Sequence, residues 1–214
     1  MMLTHGKEHV FLGMYIKYTN NRTAVVSMKS YHQEAIYECG LEIRRESSTP
    51  DRRTLFEVDP GSTLWKMARP RCFIELLVAK LLYVALRARM DILFAIGFLC
   101  TRVAGSTKQD QSKLRRVLEY VKGTIDLGYT LGADSMGKLR TWVDVSYAVH
   151  PDMKSHTGGI MSLGIGGFAP KSGKQKLNTK SSTEAELVGA SDFLPNSLWV
   201  RMFLVGQGYK IEEN

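Results

Sequence analysis

Aromatic and aliphatic residues crowd the stretch from Val10 to Tyr18, a β-strand pattern closed by the polar turn Thr19–Arg22. A second strand is expected over Ala24 to Met28, and Ser30 stands as the cap of a helix from about Tyr31 to Cys39, ended by Gly40. From Glu42 to Arg71 periodicity dissolves into charged and turn-forming residues, including Ser47-Ser-Thr-Pro50-Asp51 and Asp59-Pro-Gly-Ser62, so this stretch reads as a linker. Helical spacing then takes over. Phe73, Leu77, Leu81 and Val84 make one stripe, a second helix is expected from Asp91 to Val103, and a third from about Lys108 to Lys122 with Gly123 as its C-cap. In that third helix Leu114, Val117, Leu118 and Val121 face one way and Lys113, Arg115 and Arg116 another.

After Lys138 the period changes to two. Leu139, Thr141, Val143, Val145 and Tyr147 alternate with Arg140, Trp142, Asp144, Ser146 and Ala148, which is a strand. Gly158–Leu163 reads as the next strand, Gly164–Gly167 as a turn, and Phe168–Leu177 as a third strand broken by Pro170 and Gly173. A helix is expected from Glu184 to about Phe193, and a separate one starting at Pro195 and ending near Gly206–Gly208. Hairpin and helices first, then strands and helices, make an α+β chain with a boundary near residues 131–138.

The 29 Lys and Arg against 21 Asp and Glu leave a formal charge of +8, which favours phosphate-bearing or anionic-lipid partners over acidic ones. The longest uncharged apolar run, Ile92–Cys100, is far short of a membrane span, and the first residues carry no secretory apolar segment. Cys39, Cys72 and Cys100 are too scattered for a disulfide framework or a CxxC zinc site, so an intracellular, reducing setting is expected.

Two carboxylates stand out. Asp144 sits mid-strand, on the face opposite Val143 and Val145, where a charge is disfavoured unless that face is wet or the charge has a partner. A solvated sheet edge accounts for it on spacing alone. Glu186 lies one turn into the last helical segment, where Thr183-x-x-Glu186 and Ser181-x-x-Glu184 both fit a capping box, and spacing does not say which glutamate closes it. Between the two carboxylates, Met153–Lys180 holds Lys154, Lys171, Lys174, Lys176 and Lys180 and no acidic residue. Such a run suits a phosphate backbone, or equally a solvated lysine face that protects an edge strand. The five histidines form no HxH or HExxH pattern; His150 and His156 flank the exit of the Asp144 strand, within reach of a scissile phosphate on one reading, and as surface loop residues on the simpler one.

Trp142-Val-Asp144-Val-Ser-Tyr-Ala, Ser155-His-Thr-Gly158-Gly159 and Lys180-Ser-Ser-Thr-Glu184-Ala-Glu186-Leu together resemble the ribonuclease H domain of copia-type LTR retrotransposons. Upstream, Leu77-Val-Ala-Lys80-Leu-Leu-Tyr83, Arg87-Ala-Arg-Met-Asp91-Ile and Val117-Leu-Glu-Tyr-Val-Lys-Gly123 are similar to the segment between polymerase and nuclease in the same Pol polyproteins. Phe11-Leu-Gly-Met14, with its hairpin and helix, is similar to the end of the reverse transcriptase palm and the start of its thumb. The resemblance is collinear over nearly the whole chain. It implies three parts: a palm/thumb-like hairpin and helix in residues 1–50, a linker and helical connection in 51–130, and a truncated ribonuclease H-like α/β domain in 136–214.

The same resemblance makes Asp144 the first metal-binding carboxylate and Glu186 the second. Glu184 becomes the capping partner of Ser181, and Leu187 opens the helix's apolar face. It implies hydrolysis of the RNA strand of an RNA–DNA hybrid with Mg²⁺, and the rest of a Pol polyprotein as covalent partner. The charge distribution offers Lys171, Lys174, Lys176, Lys180, Arg115 and Arg116 as the nucleic-acid contacts. Cytoplasmic particles or the nucleus are the expected locations. The family's paired-aspartate polymerase motif and downstream carboxylates have no match in this sequence, and Asp192 lies on nearly the opposite helix face from Glu186. An isolated chain is therefore expected to be inactive or nearly so. The alternative is a non-catalytic basic remnant that only binds nucleic acid.

Overall fold

The computed structural model describes residues 6–64 and 72–212. They form an α+β fold of two antiparallel sheets and five helices. The expected strand over 10–18 is instead a hairpin: β1 (Glu8–Phe11) turns at Leu12–Gly13 into β2 (Met14–Tyr18). Gly13, with φ of +78°, supplies the left-handed conformation that Leu12 (φ +49°) also has to adopt. β3 (Thr23–Ser27) pairs with β2, and β4 (Tyr129–Ala133) with β3.

A fifth strand joins this sheet from far along the chain. β7 (Gly164–Ile165) pairs with β4, giving the order β1-β2-β3-β4-β7. The glycines that read as a simple turn make this crossing possible. Gly166 has φ of +71°, and a Cβ there would stand 2.2 Å from the Thr130 carbonyl oxygen.

Helices α1 (Lys29–Glu38), α2 (Cys72–Ala85), α3 (Leu93–Cys100) and α4 (Lys108–Gly123) bury the main core. α1 starts at Lys29, so its N-cap is Met28 rather than Ser30, with no side-chain cap. Leu77, Leu81 and Val84 of α2 are buried as their spacing predicts; the Phe73 side chain lies outside the described set. The expected helix over 91–103 is α3 with a 3₁₀ turn on each side, at Met90–Ile92 and Val103–Gly105. α4 begins with a capping box: Thr107 Oγ1 accepts from the Asp110 amide, while the Asp110 carboxylate accepts from the Thr107 amide at 2.9 Å. Its buried stripe is Leu114, Val117, Leu118 and Val121, and Thr124 rather than Gly123 is its C-cap. The aperiodic residues 42–64 have no regular elements but are packed, with Leu55 buried and Ile43, Phe56 and Val58 against the helical core.

The second sheet is β5 (Arg140–Ser146), β6 (His156–Ser162) and β8 (Phe168–Lys174), in that order. Pro170 is tolerated because β8 is an edge strand and Ala169 and Pro170 bulge opposite Ile160. α5 (Ser182–Gly206) covers one face as a single helix, with Pro195 inside it, where two helices were expected. Its buried residues are Ala185, Gly189, Phe193, Ser197, Val200 and Leu204. α3 lies against β8 on the other face, where a Cβ on Gly97 would meet the Ser172 carbonyl oxygen at 3.1 Å.

Candidate active site

The sheet–helix pair β5 and α5 positions both candidate carboxylates. On β5 the odd residues face α5: Thr141 Oγ1 lies 3.0 Å from Ser197 Oγ, Val143 joins the cluster around Phe193, and Val145 packs under Gly189. Asp144 therefore points to the opposite face, as the alternation predicts, and is exposed. It is paired across the ladder with Gly158, whose missing side chain leaves that face open beside it.

α5 runs antiparallel to β5, since Gly189 meets Val145 and Ser197 meets Thr141. Glu186, in the first turns of α5, thus stands at the end of the sheet where Asp144 lies, and it too is exposed. The two carboxylates approach one end of the sheet from opposite faces. No group of three His, Cys, Asp or Glu side chains able to hold a metal occurs among the described residues.

The start of α5 separates the two glutamates. Ser181 Oγ accepts from the Glu184 amide at 3.2 Å, and the Glu184 carboxylate accepts from the Lys180 amide at 2.7 Å. Glu184 is thereby committed to the helix start, one residue earlier than a standard capping box would have it. Glu186 has no such task. Leu187 does not open the apolar face: it is 70% exposed, and the buried stripe begins at Ala185 instead. Gln175 holds this helix end to the sheet, its Nε2 donating to Thr157 Oγ1 at 3.0 Å and to the Ala185 carbonyl at 2.9 Å.

The basic candidates divide by what else they hold. Lys171 donates to the Asp192 carbonyl at 3.0 Å, and Lys174 is ion-paired with Asp152 at 2.6 Å. Lys176 and Lys180 are exposed near the start of α5. Arg116 donates from Nε to the Asp51 carbonyl at 3.1 Å and from Nη2 to Thr49 Oγ1 at 2.8 Å, whereas Arg115 is exposed.

His150 and His156 are not surface residues. Both are 2% exposed, stacked with centroids 5.3 Å apart, with His150 Nε2 3.1 Å from His156 Nδ1 and His156 Nε2 2.7 Å from Ser172 Oγ. Phe56, Phe94 and Phe98 close around them. Burial pushes both rings down to about 4; Lys174 adds to this at His150, and His150 adds to it at His156. They are held neutral and enclosed, so neither presents a charged imidazole to a phosphate at the surface. The sequence signal that was available, two His six apart around a Pro-containing loop, does not distinguish burial from exposure.

Against known proteins, the chain is 30% identical over 182 residues to an uncharacterized mitochondrial protein of Arabidopsis thaliana, spanning 85% of this chain and 73% of that one. It is 27% identical to a putative transposon Ty5-1 protein of Saccharomyces cerevisiae, over 87% of this chain and 60% of the relative. It is 28% identical over 213 residues to the retrovirus-related Pol polyprotein from transposon TNT 1-94 of Nicotiana tabacum, covering 97% of this chain but 16% of that polyprotein. The chain belongs to the copia-type retrotransposon Pol family. It corresponds to a small share of the full Pol polyproteins it matches. No family model and no solved structure matches this Pol fragment. None of its described helices is long and apolar enough to cross a membrane.

Proposed function

We propose that this Pol fragment comprises the end of a reverse transcriptase, its connection, and the first part of a ribonuclease H that cuts the RNA strand of RNA–DNA hybrids. The observation that carries the reading is that Asp144 and Glu186 are both left exposed at one end of a three-stranded antiparallel sheet, on its two opposite faces, while Glu184 is occupied at the start of α5. Both carboxylates are exposed hard oxygen donors, the kind of ligand Mg²⁺ takes alongside its retained waters. When bound, Mg²⁺ would activate the attacking water and neutralise charge on the scissile phosphate.

What the chain's own residues do follows from their positions. Asp144 and Glu186 offer the carboxylates, and Lys176 and Lys180 draw the phosphate backbone toward that end of the sheet. The β6–β8 ladder and Gln175 keep strand and helix end in register. Two carboxylates hold dications weakly, so efficient cleavage requires further donors from the rest of a polyprotein. The expected result with labelled hybrid at elevated Mg²⁺ is slow cleavage that Asp144→Asn and Glu186→Gln abolish and Glu184→Gln leaves in place. Cleavage that survives Asp144→Asn would remove the assignment. Hybrid binding with no cleavage even when the chain is joined to a polyprotein segment that supplies the further carboxylates would favour the binding-only reading, which the Lys174–Asp152 pair and the committed Lys171 do not preclude because exposed cations remain elsewhere.

A further inference from the structure

A cleft of about 400 Å³ opens between the coil at residues 45–55 and α4. The coil is pinned on α4 by Arg116 to Asp51 and Thr49, by the Ser47 amide to the Glu119 carbonyl at 3.4 Å, and by Lys113 Nζ to the Glu57 carbonyl at 2.6 Å. Between these attachments it stands off the helix, over a wall that includes the buried Leu55. Five cations line the space, Arg45, Arg52, Lys113, Arg115 and Arg116, against two carboxylates, Asp51 and Glu119. Lys113 and Arg116 are occupied with the coil. Arg45, Arg52 and Arg115 are exposed, and among the described residues none of the three guanidinium groups has a hydrogen bond or ion pair.

We propose that this cleft binds phosphate, through the guanidinium groups of Arg45, Arg52 and Arg115. A guanidinium presents paired donors that match phosphate oxygens, and three of them around one recess surround a tetrahedral anion better than scattered surface charges do. The volume lies within the range of sites that enclose a small ligand or one segment of a polymer. Lys113 and Arg116 hold the walls in place while adding to the field. The source assigned to the phosphate is the backbone of a nucleic acid, and this part rests on the proposed function; the recognition of phosphate does not.

The test is the salt dependence of binding to an RNA–DNA hybrid by the full chain and by the triple variant Arg45→Gln, Arg52→Gln, Arg115→Gln. A control chain carries Arg22→Gln and Arg201→Gln, which are exposed and outside the cleft. The expected result is at least about a tenfold loss for the triple variant, and a slope of log affinity against log salt reduced by about 1 per removed contact. The control should change by less than about twofold, and thermal unfolding of both variants should match the parent. Tripolyphosphate competing at the cleft while hybrid binding is unaffected by the triple variant would assign the same phosphate chemistry to a free ligand. Equal losses in the triple variant and the control, or competition by polyglutamate as strong as by tripolyphosphate, would overturn the proposal. The cleft is read by hybrid binding and its salt slope and the nuclease reading by cleavage, so failure of the one and failure of the other give different results.

Discussion

α5 comes so near β5 at Gly189 that a Cβ there would stand 2.4 Å from Val145 Cγ2 and 3.4 Å from the Thr157 side chain. Val145 is adjacent to Asp144, so this contact fixes how the helix bearing Glu186 sits on the strand bearing Asp144. Gly189→Ala gains helix propensity of up to about 1 kcal/mol but overpacks the contact, and overpacking typically costs about 1–3 kcal/mol. A lower denaturant midpoint is the expected outcome. Gly206→Ala, near the other end of the helix, meets nothing within 4 Å and should be neutral or stabilising. Equal midpoints for Gly189→Ala and the parent would show that the helix can lift away without cost. The contact that constrains Gly189 comes from Val145, 44 positions earlier in the chain.

At the scale of the element, α5 shows both what local pattern determines and where it stops. Pro195 has no amide to give Ser191 and its ring crowds that carbonyl, which is why a break is expected there. The helix continues because the buried residues on both sides of the proline, Ala185, Gly189 and Phe193 before it and Ser197, Val200 and Leu204 after it, cover one sheet. Lys171 Nζ adds a donor to the neighbouring Asp192 carbonyl. Tertiary burial outweighs the local penalty. Because Pro195 is exposed, Pro195→Ala should raise stability by about 1–3 kcal/mol, read as a higher thermal midpoint without loss of hybrid binding. A lower midpoint would mean the proline relieves a strain that the continuous helix conceals. The strands and helices with clean periodicity, β5, β6, α2 and α4, were legible from spacing, and so was the outward face of Asp144. The Leu12–Gly13 turn, the crossing of β7 into the first sheet and the packing of residues 42–64 were not. Each depends on partners far along the chain: β7 on β4, and Phe56 on Phe94, Phe98 and the two histidines. The choice between Glu184 and Glu186 was equally closed to spacing, and the hydrogen bond from the Lys180 amide to Glu184 separates them.

Across the whole molecule, the helical core and the second sheet meet at the ring cluster of Phe56, Phe94, Phe98, His150 and His156. This junction ties fold stability to pH. The Nε2–Nδ1 hydrogen bond between the two imidazoles needs one donor and one acceptor, so a doubly protonated pair loses it and places two charges among phenyl rings. The charged groups near the pair are Lys174, which opposes protonation, and Asp152, which is ion-paired with it. Both rings have pKa values pushed down by burial to about 4 from an ordinary 6.5, so the folded chain binds fewer protons than the unfolded chain between those limits. Stability is therefore complete above about pH 6.5, falls as pH drops, and levels off below about 4; for an independent ring the loss is about 3 kcal/mol, and the coupled pair takes up its protons in steps. His32, with both ring nitrogens unpartnered and its pKa also near 4 through burial and the Arg89 charge, contributes a loss of the same sign. Urea midpoints measured from pH 4.5 to 7.5 should fall steeply toward acid for the parent and less steeply for a His150→Phe, His156→Phe double variant, whose rings fill the same aromatic site without titrating. The remaining slope of the double variant should flatten further with His32→Phe. Parallel profiles for the parent and the double variant would show that the histidine pair does not carry the acid sensitivity of the junction.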